Sequence, residues 1–246
     1  MSNSATGPTS TTASSTNSAS SPAPAARPDG CGNGPVIGGP LPQPPPRKAG
    51  EEVEVVACGA LAGHIREIAA RRGWPVIVRP LPAALHNRPE KIKSHAERKL
   101  LTAQADGSSA VLAYADCGTY GALDDLAAKA GVSRLPGLHC YDLYAGAQEI
   151  EQLFAEEPGT YLLTDYLIKS FDRAVIQPLG LDRHPELWTD YFGHYSRLVW
   201  LAQGATSELE EAAARIASRF NLPLTRIDTG TKRLEAALAV LLEENP

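Results

Sequence analysis

The chain is poor in several features that mark large classes of protein. Its 246 residues include one methionine and 6% aromatic residues, and its formal net charge is −5. Residues 1–50 contribute Arg27, Arg47 and Lys48 against Asp29 alone, so the remainder is more acidic than the whole. Domains that bind nucleic acid normally carry a basic surface. We therefore predict no nucleic-acid partner.

Long apolar runs and targeting signals are also missing. No stretch approaches the roughly 20 apolar residues that a membrane-spanning helix needs, so we predict no membrane partner. The opening segment MSNSATGPTS has neither a basic nor an apolar region, so we expect no secretory signal and a cytoplasmic location. Thiols stay reduced in the cytoplasm, where grouped cysteines more often bind metal or take part in chemistry than form disulfides.

Two sequence motifs with known ligands are absent as well. There is no C-x-x-C pair, which argues against a structural zinc knuckle. The phosphate-binding pattern G-x-x-x-x-G-K-[ST] does not occur, so nucleotide binding is not predicted.

The amino-acid composition of the chain changes sharply near residue 50. Residues 1–50 are mostly Ser, Thr, Pro, Ala and Gly and cannot bury a core, so we predict a disordered tail. Residues 51–246 alternate strand-like apolar runs with amphipathic helical stretches. This alternation predicts an α/β fold with a three-layer, Rossmann-like parallel sheet, built either as one domain or as two fused subdomains.

Three of the four cysteines follow predicted strands. Cys58 closes VEVVAC, Cys117 closes AVLAYADC, and Cys140 lies in LPGLHCY, a short strand or loop. The carboxyl ends of parallel strands form the ligand-binding edge of an open α/β sheet. A free cysteine is often only a small core residue. Because all three share this position, we predict instead that their thiols converge as metal ligands.

Thiolates from separate segments suit a catalytic metal with an open position. They select zinc, copper(I) or an iron–sulfur cluster over magnesium or calcium, and the sequence leaves open whether the cofactor is zinc or a cluster. His86 and His139 are candidates for a fourth ligand or a catalytic acid or base. Asp116, next to Cys117, is a further catalytic candidate. Unmetallated core or nucleophilic thiols remain the alternative.

Four more residues are candidates for binding a small-molecule substrate. Asn87 and Arg88 share the loop LHNRPE with His86, and Arg88 can hold an anion. Asp165 ends the predicted strand GTYLLTD, and Tyr141 follows Cys140. Helix capping explains Asn87 and Asp165 equally well.

Five segments together resemble one protein family. They are ACGALA, LPAALHNRPEKI, YADCGT, LPGLHCYDLYAG and PGTYLLTDYL, beginning at residues 57, 81, 114, 135 and 158. The set is similar to the DUF1638 family of prokaryotic proteins, and the resemblance covers residues 53–242. It includes Cys58, His86, Cys117, His139 and Cys140 among the signature positions.

The resemblance implies a link to corrinoid-dependent methyl-transfer systems, in whose company members of the family are often found. It suggests a metal-dependent enzyme that transfers methyl groups to or from a small thiol, with a corrinoid protein as a candidate partner. The corrinoid-binding pattern D-x-H-x-x-G is absent, so a corrinoid would belong to that partner. Two alternatives stay open. One is a non-catalytic metal- or metalloid-binding accessory or sensor protein. The other is an iron–sulfur lyase or synthase similar in kind to quinolinate synthase.

Overall fold

The fold combines parallel strands and helices, as predicted. A computed structural model describes residues 52–244, so the predicted tail of residues 1–50 lies outside the described part. Within that part, strands and helices alternate and every paired strand runs parallel to its neighbour. The predicted α/β class is therefore confirmed. No helix between residues 52 and 244 is long and apolar enough to cross a membrane.

The first half of the described chain forms a sheet of three strands with the order β2-β1-β3. Its first strand is buried along its whole length, which explains the continuous apolar run VEVVAC. The strands are β1 (Val53–Cys58), β2 (Val76–Leu81) and β3 (Ser109–Ala113). The helices are α1 (Ala62–Arg72), α2 (Ile92–Ala105) and α3 (Ala122–Ala130).

The second half forms another three-stranded sheet, with the order β4-β5-β6. Of the two predicted arrangements, the structure therefore has two sheets rather than one. The strands are β4 (Thr160–Thr164), β5 (Arg197–Ala202) and β6 (Leu224–Asp228). The helices are α4 (Ala147–Glu156), α5 (Asp165–Phe171), α6 (Trp188–Phe192), α7 (Ser207–Phe220) and α8 (Lys232–Glu243).

The last helix connects the two halves, whereas α4 packs within the second half. Leu234 and Leu238 of α8, the last helix, pack in the same buried apolar cluster as the strands of the first sheet. Ile150 and Leu153 of α4 pack instead against β4 and β5 of the second sheet. Each buried leucine or isoleucine contributes roughly 1.5–3 kcal/mol. Because the last helix completes the core of the first half, we expect the two halves to unfold together.

Two of the cysteines do not lie at strand ends, which corrects the predicted boundaries. Strand β3 stops at Ala113, four residues before Cys117, and Cys117 has a φ of 50° that cannot continue a strand. Cys140 instead begins a 3₁₀ turn, Cys140–Leu143. Between residues 52 and 244, a single isolated bridge, Leu112 to Arg134, joins the segment before Cys140 to the sheet. Loops rather than strands bring these two thiols to the site.

Candidate thiol and metal site

The turn after β1 places the first thiol of the site. Cys58 is the last residue of β1 and is fully buried. Gly59 follows it in close contact with the neighbouring strand end. A Cβ atom at Gly59 would lie 2.4 Å from the Leu81 carbonyl oxygen and 2.9 Å from the Ala83 nitrogen. Only glycine permits this approach, so the Cys58 turn packs directly on the segment that leads to His86.

His86 is held by a 3₁₀ turn, Ala83–Asn87, that follows β2. Its Nδ1 lies 2.8 Å from the Ala83 carbonyl oxygen, to which Nδ1–H donates. This bond directs Nε2 towards the Cys58 thiol, whose sulfur is 3.8 Å away. The imidazole also stacks on the Tyr114 ring, with centroids 5.7 Å apart and planes at 20°. The ring is therefore oriented from three sides.

Cys117 lies in a turn organised by Asp116. The Asp116 carboxylate accepts hydrogen bonds from the Thr119 hydroxyl and from the backbone N–H groups of residues 118, 120 and 121. The N–H of Cys117 donates to the Leu138 carbonyl oxygen at 2.7 Å. The chain that carries Cys117 is therefore tied to the segment just before Cys140.

The third loop brings Cys140 to the same point. The Asp142 carboxylate accepts hydrogen bonds from Leu138 N–H (2.8 Å) and His139 N–H (3.1 Å), which closes the turn around Cys140. One ligand atom each from His86, Cys117 and Cys140 then lies within 4.8 Å of the other two. Three loops thus converge on one cluster of two thiols and an imidazole, with Cys58 beside it.

The thiols and the imidazole shift one another's pKa values strongly. A hydrogen bond from Cys140 is the largest influence on Cys117 and, with the His86 contact, outweighs burial and lowers the pKa of Cys117 to about 5. The same hydrogen bond, together with burial, raises the pKa of the Cys140 thiol. Burial would lower the pKa of His86, but its hydrogen bonds to Cys117 and Cys58 raise it to about 11. At neutral pH the metal-free site therefore holds a Cys117 thiolate next to a His86 imidazolium.

This donor set fits a soft metal ion. Two cysteines and one histidine form a ligand set used by catalytic zinc sites, which keep a fourth position open. The hydrogen bond from His86 Nδ1–H to a backbone carbonyl is the usual support of a metal-binding histidine, because it leaves Nε2 available. Metal binding would replace the proton on His86 and neutralise the repulsion between deprotonated thiols.

Two of the predicted catalytic residues lie outside this cluster. Asp116 uses both carboxylate oxygens inside its own turn. Burial would raise the pKa of Asp116, but these hydrogen bonds and the nearby Arg134 hold it below its usual value. His139 is exposed and stacks on the Tyr141 ring, with centroids 6.5 Å apart. The structure thus gives Asp116 a positioning contact with the Cys117 turn and groups His86, not His139, with the thiols.

The residues predicted to bind substrate are spread over both halves. Asn87 and Arg88 are exposed, and Asn87 Nδ2 donates to the Ala174 carbonyl oxygen at 3.4 Å. Tyr141 packs against the apolar cluster of the second sheet, and burial followed by Cys140 raises its pKa. Asp165 is buried at the carboxyl end of β4, where its observed partners are backbone and side-chain donors of β5 and the residues after it.

Sequence reasoning missed Tyr114, which lies between β3 and Cys117. Its side chain is fully buried, and its hydroxyl has no well-aligned hydrogen-bond partner among residues 52–244. Burial, followed by the nearby Cys58 and Cys117, raises its pKa. The signal in the sequence was the single hydroxyl-bearing residue in the apolar run VLAYA. A tyrosine placed there carries a polar group into the core, where it needs a partner.

Comparison with known protein families identifies the family of the chain. A family model described as a protein of unknown function, DUF1638, matches residues 80–238, and the chain belongs to that family. His86, Cys117 and Cys140 lie inside the matched range, whereas Cys58 precedes it. A search among curated proteins and a search among solved structures each found no match.

Proposed function

We propose that this protein is a metal-dependent enzyme whose site binds a soft metal ion, zinc in the first place, through His86, Cys117 and Cys140. One observation carries the proposal: ligand atoms of these three residues lie within 4.8 Å of one another, although the residues come from separate loops. The hydrogen-bonded orientation of the His86 ring adds support, because its Nε2 faces the thiols.

The composition of the cluster favours zinc over an iron–sulfur cluster. Iron–sulfur clusters are usually held by four cysteine thiolates, whereas two thiolates and an imidazole are an ordinary zinc set. We place Cys58 beside the metal site rather than among its ligands, because its sulfur lies 3.8 Å from His86 Nε2 but it is not one of the three grouped ligands.

We further propose that the reaction is methyl transfer to a small thiol. The bound metal would supply Lewis acidity that lowers the pKa of the substrate thiol. The thiol gives its proton to solvent, its sulfur attacks the methyl carbon, and a new S–C bond forms. The bond between that carbon and its donor breaks, and the donor leaves with the electron pair. The donor would be a methylated corrinoid on a partner protein, and the loops carrying His86, Cys117 and Cys140 would orient the thiol.

Metal analysis of the protein purified without oxygen tests the binding step. We expect about one zinc per chain and a colourless protein, since zinc has no d–d absorption. Cys117→Ser, Cys140→Ser and His86→Gln should each lower the zinc content severely. His139→Gln is a matched control that should keep it, because His139 is exposed and lies outside the grouped ligands. Full zinc content in all three ligand variants would refute the metal site.

Turnover of a methylated corrinoid with a small thiol acceptor tests the catalytic step. We expect methylated thiol as the product, with turnover abolished in Cys117→Ser while the circular dichroism spectrum is unchanged. Stoichiometric zinc without turnover of any methyl donor would instead support a non-catalytic metal-binding role. A brown protein that contains iron and sulfide would support the cluster alternative.

A further inference from the structure

Tyr114 presents a polar group that the rest of the described structure does not satisfy. Its side chain is fully buried, yet its hydroxyl has no well-aligned hydrogen-bond partner among residues 52–244, and its contact with the Cys58 sulfur is a weak one. Burying a hydroxyl without a partner destabilises the folded state. Buried polar groups are otherwise almost always paired, so an unpaired one indicates that a ligand or a bound water completes it.

The position of this hydroxyl points to the thiol cluster. The Tyr114 ring stacks nearly parallel to His86, with centroids 5.7 Å apart. Burial raises the pKa of the Tyr114 phenol most, followed by the nearby Cys58 and Cys117, and a weak contact with the Cys58 sulfur and the charge of Cys140 add to the effect. The hydroxyl therefore lies among the same side chains that form the candidate metal site.

A second buried tyrosine nearby shows the contrast. Tyr144 is also buried near Cys140 and Cys58, but its hydroxyl pairs with His64 Nδ1 at 2.8 Å. The fold therefore can satisfy a tyrosine hydroxyl in this region. Leaving the one at Tyr114 unpaired keeps a hydrogen-bond donor available at the site.

We infer that Tyr114 is a substrate-positioning residue, whose hydroxyl donates a hydrogen bond to the acceptor atom of a small thiolate or oxyanion bound at the open position of the metal. This inference rests on the proposed function, since the ligand is held by the metal. It also narrows the class of ligand. A phenol O–H at the site favours a small molecule with a thiolate sulfur or a carboxylate oxygen, and it offers nothing to an aliphatic group.

The test uses the full-length protein loaded with cobalt(II) in place of zinc, because cobalt–thiolate absorption reports both metal and added ligand. 2-Mercaptoethanol is titrated into the wild type, Tyr114→Phe and the control Tyr161→Phe. Tyr161 is a ring of the second half, in contact with Phe192 and Tyr195. We expect equal cobalt content in all three proteins. The thiol should bind Tyr114→Phe about tenfold more weakly, the effect of losing one hydrogen bond.

The possible failures differ. If the wild type takes up no cobalt, the metal site and this inference are both refuted. If all three proteins bind cobalt and the thiol binds Tyr114→Phe as tightly as the wild type, only the role of Tyr114 is refuted. Weaker thiol binding in both phenylalanine variants would also refute it, because the effect would then not be specific to the site.

Discussion

The two halves of the protein share an order of elements but use the carboxyl edges of their sheets differently. In the first half, the edge leads to Cys58, His86 and Cys117, and the Tyr114 hydroxyl has no well-aligned partner within residues 52–244. In the second half, the polar group at the edge is Asp165, and its carboxylate is fully engaged. It accepts from Trp200 Nε1 and Gly204 N–H, each at 2.8 Å, and from Gln203 N–H at 3.2 Å.

A polar residue at the end of a strand is therefore not by itself a sign of reactivity. Asp165 joins the ends of β4 and β5, so its bonds stabilise the sheet. The second half is also filled with packed rings, such as Phe192 and Phe220 with centroids 4.8 Å apart. The first half instead collects ionisable groups that shift one another's pKa values. We therefore propose that the first half carries the reactive site and that the polar edge of the second half contributes to the stability of the fold.

The largest expected effect comes from removing Asp165. Asp165→Ala leaves the donors of Trp200, Gln203 and Gly204 without an acceptor in a buried position, so we expect the free energy of unfolding to fall by about 3–5 kcal/mol. Urea unfolding monitored by circular dichroism measures this. The control Asp172→Ala, whose side chain is 77% exposed, should cost less than about 1 kcal/mol.

The zinc content of Asp165→Ala also separates the two halves. If Asp165 only stabilises the fold, the molecules that stay folded should keep their zinc. Loss of thiol binding without loss of stability in that variant would contradict our assignment and support a substrate contact for Asp165.

Gly59→Ala should have the next largest effect. The added Cβ would meet the backbone at Leu81 and Ala83, which cannot give way as a flexible side chain would. We expect a loss of about 1–3 kcal/mol in unfolding free energy. Because Ala83 begins the turn that carries His86, zinc affinity should fall as well.

Two glycines serve as controls for Gly59. Gly63 in α1 has nothing within 4 Å of its Cβ position, so Gly63→Ala should be neutral or raise stability by up to about 1 kcal/mol. Gly193 in the second half would place a Cβ 2.5 Å from the Thr189 carbonyl oxygen. Gly193→Ala should therefore lose stability but retain zinc affinity. Equal zinc affinity in all three variants would contradict the proposed link between Gly59 and the site.

The pH dependence of stability of the metal-free protein should carry the signature of the thiol cluster. Folding lowers the pKa of Cys117 from 9.0 to about 5 and raises that of His86 from 6.5 to about 11. Between pH 5 and 6.5 the unfolded chain binds one more proton, so stability rises with pH. Between pH 6.5 and 9 the two effects cancel, and between pH 9 and 11 the folded state binds more protons, so stability falls.

Urea midpoints measured from pH 4.5 to 10.5 test this plateau. The double variant His86→Gln/Cys117→Ser is the reference because it removes both groups. It also removes the Cys117 partner that raises the pKa of Cys140, so the two curves are compared below pH 9, where an ordinary thiol stays largely protonated. The wild-type thiolate should also absorb near 240 nm at pH 7 and lose that absorbance as the pH falls through about 5. A wild-type curve parallel to that of the double variant would contradict the ion pair.

The smallest effect concerns two residues in the left-handed backbone region, one in each half. Tyr120 has a φ of 52° and a side chain that is almost completely exposed, so Tyr120→Gly should relieve strain and stabilise by about 0.5–1 kcal/mol. Asn221 ends α7 with a φ of 53°, and asparagine tolerates this conformation, so Asn221→Gly should change little. Thermal midpoints of the two variants make the comparison, and equal shifts would contradict it.

The periodicity of the sequence predicted most of the fold. The apolar runs VEVVAC and RLVWLA form the buried strands β1 and β5 because only a strand covered on both faces needs side chains that are apolar throughout. The sequence predicts the ends of helices less accurately. The spacing of Ser207 and Glu210 predicts a helix cap at Ser207. In the structure the Thr206 hydroxyl accepts from Leu209 N–H instead, because Thr206 has the extended backbone that a cap requires.

The candidate site was predictable in part. The position of Cys58 at a strand end follows from local pattern alone. Cys140 does not, since it is brought near Cys117 by backbone bonds between residues 116–117 and 137–138 that join distant parts of the chain. The partners of Asp165 lie on another strand, and neither they nor the missing partner of Tyr114 can be found from neighbouring residues.

Local periodicity and residue chemistry are enough to predict the α/β class and the parallel strands from the sequence alone. They also point to the cysteines and histidines that are candidates for the site. The tertiary structure decided that the strands divide into two sheets and that His86 joins Cys117 and Cys140 while His139 stays exposed. It also gave the Asp165 carboxylate its hydrogen bonds with Trp200, Gln203 and Gly204. Each of these outcomes depends on which loops meet across long sequence separations, where packing and hydrogen bonding act between residues with no local pattern in common.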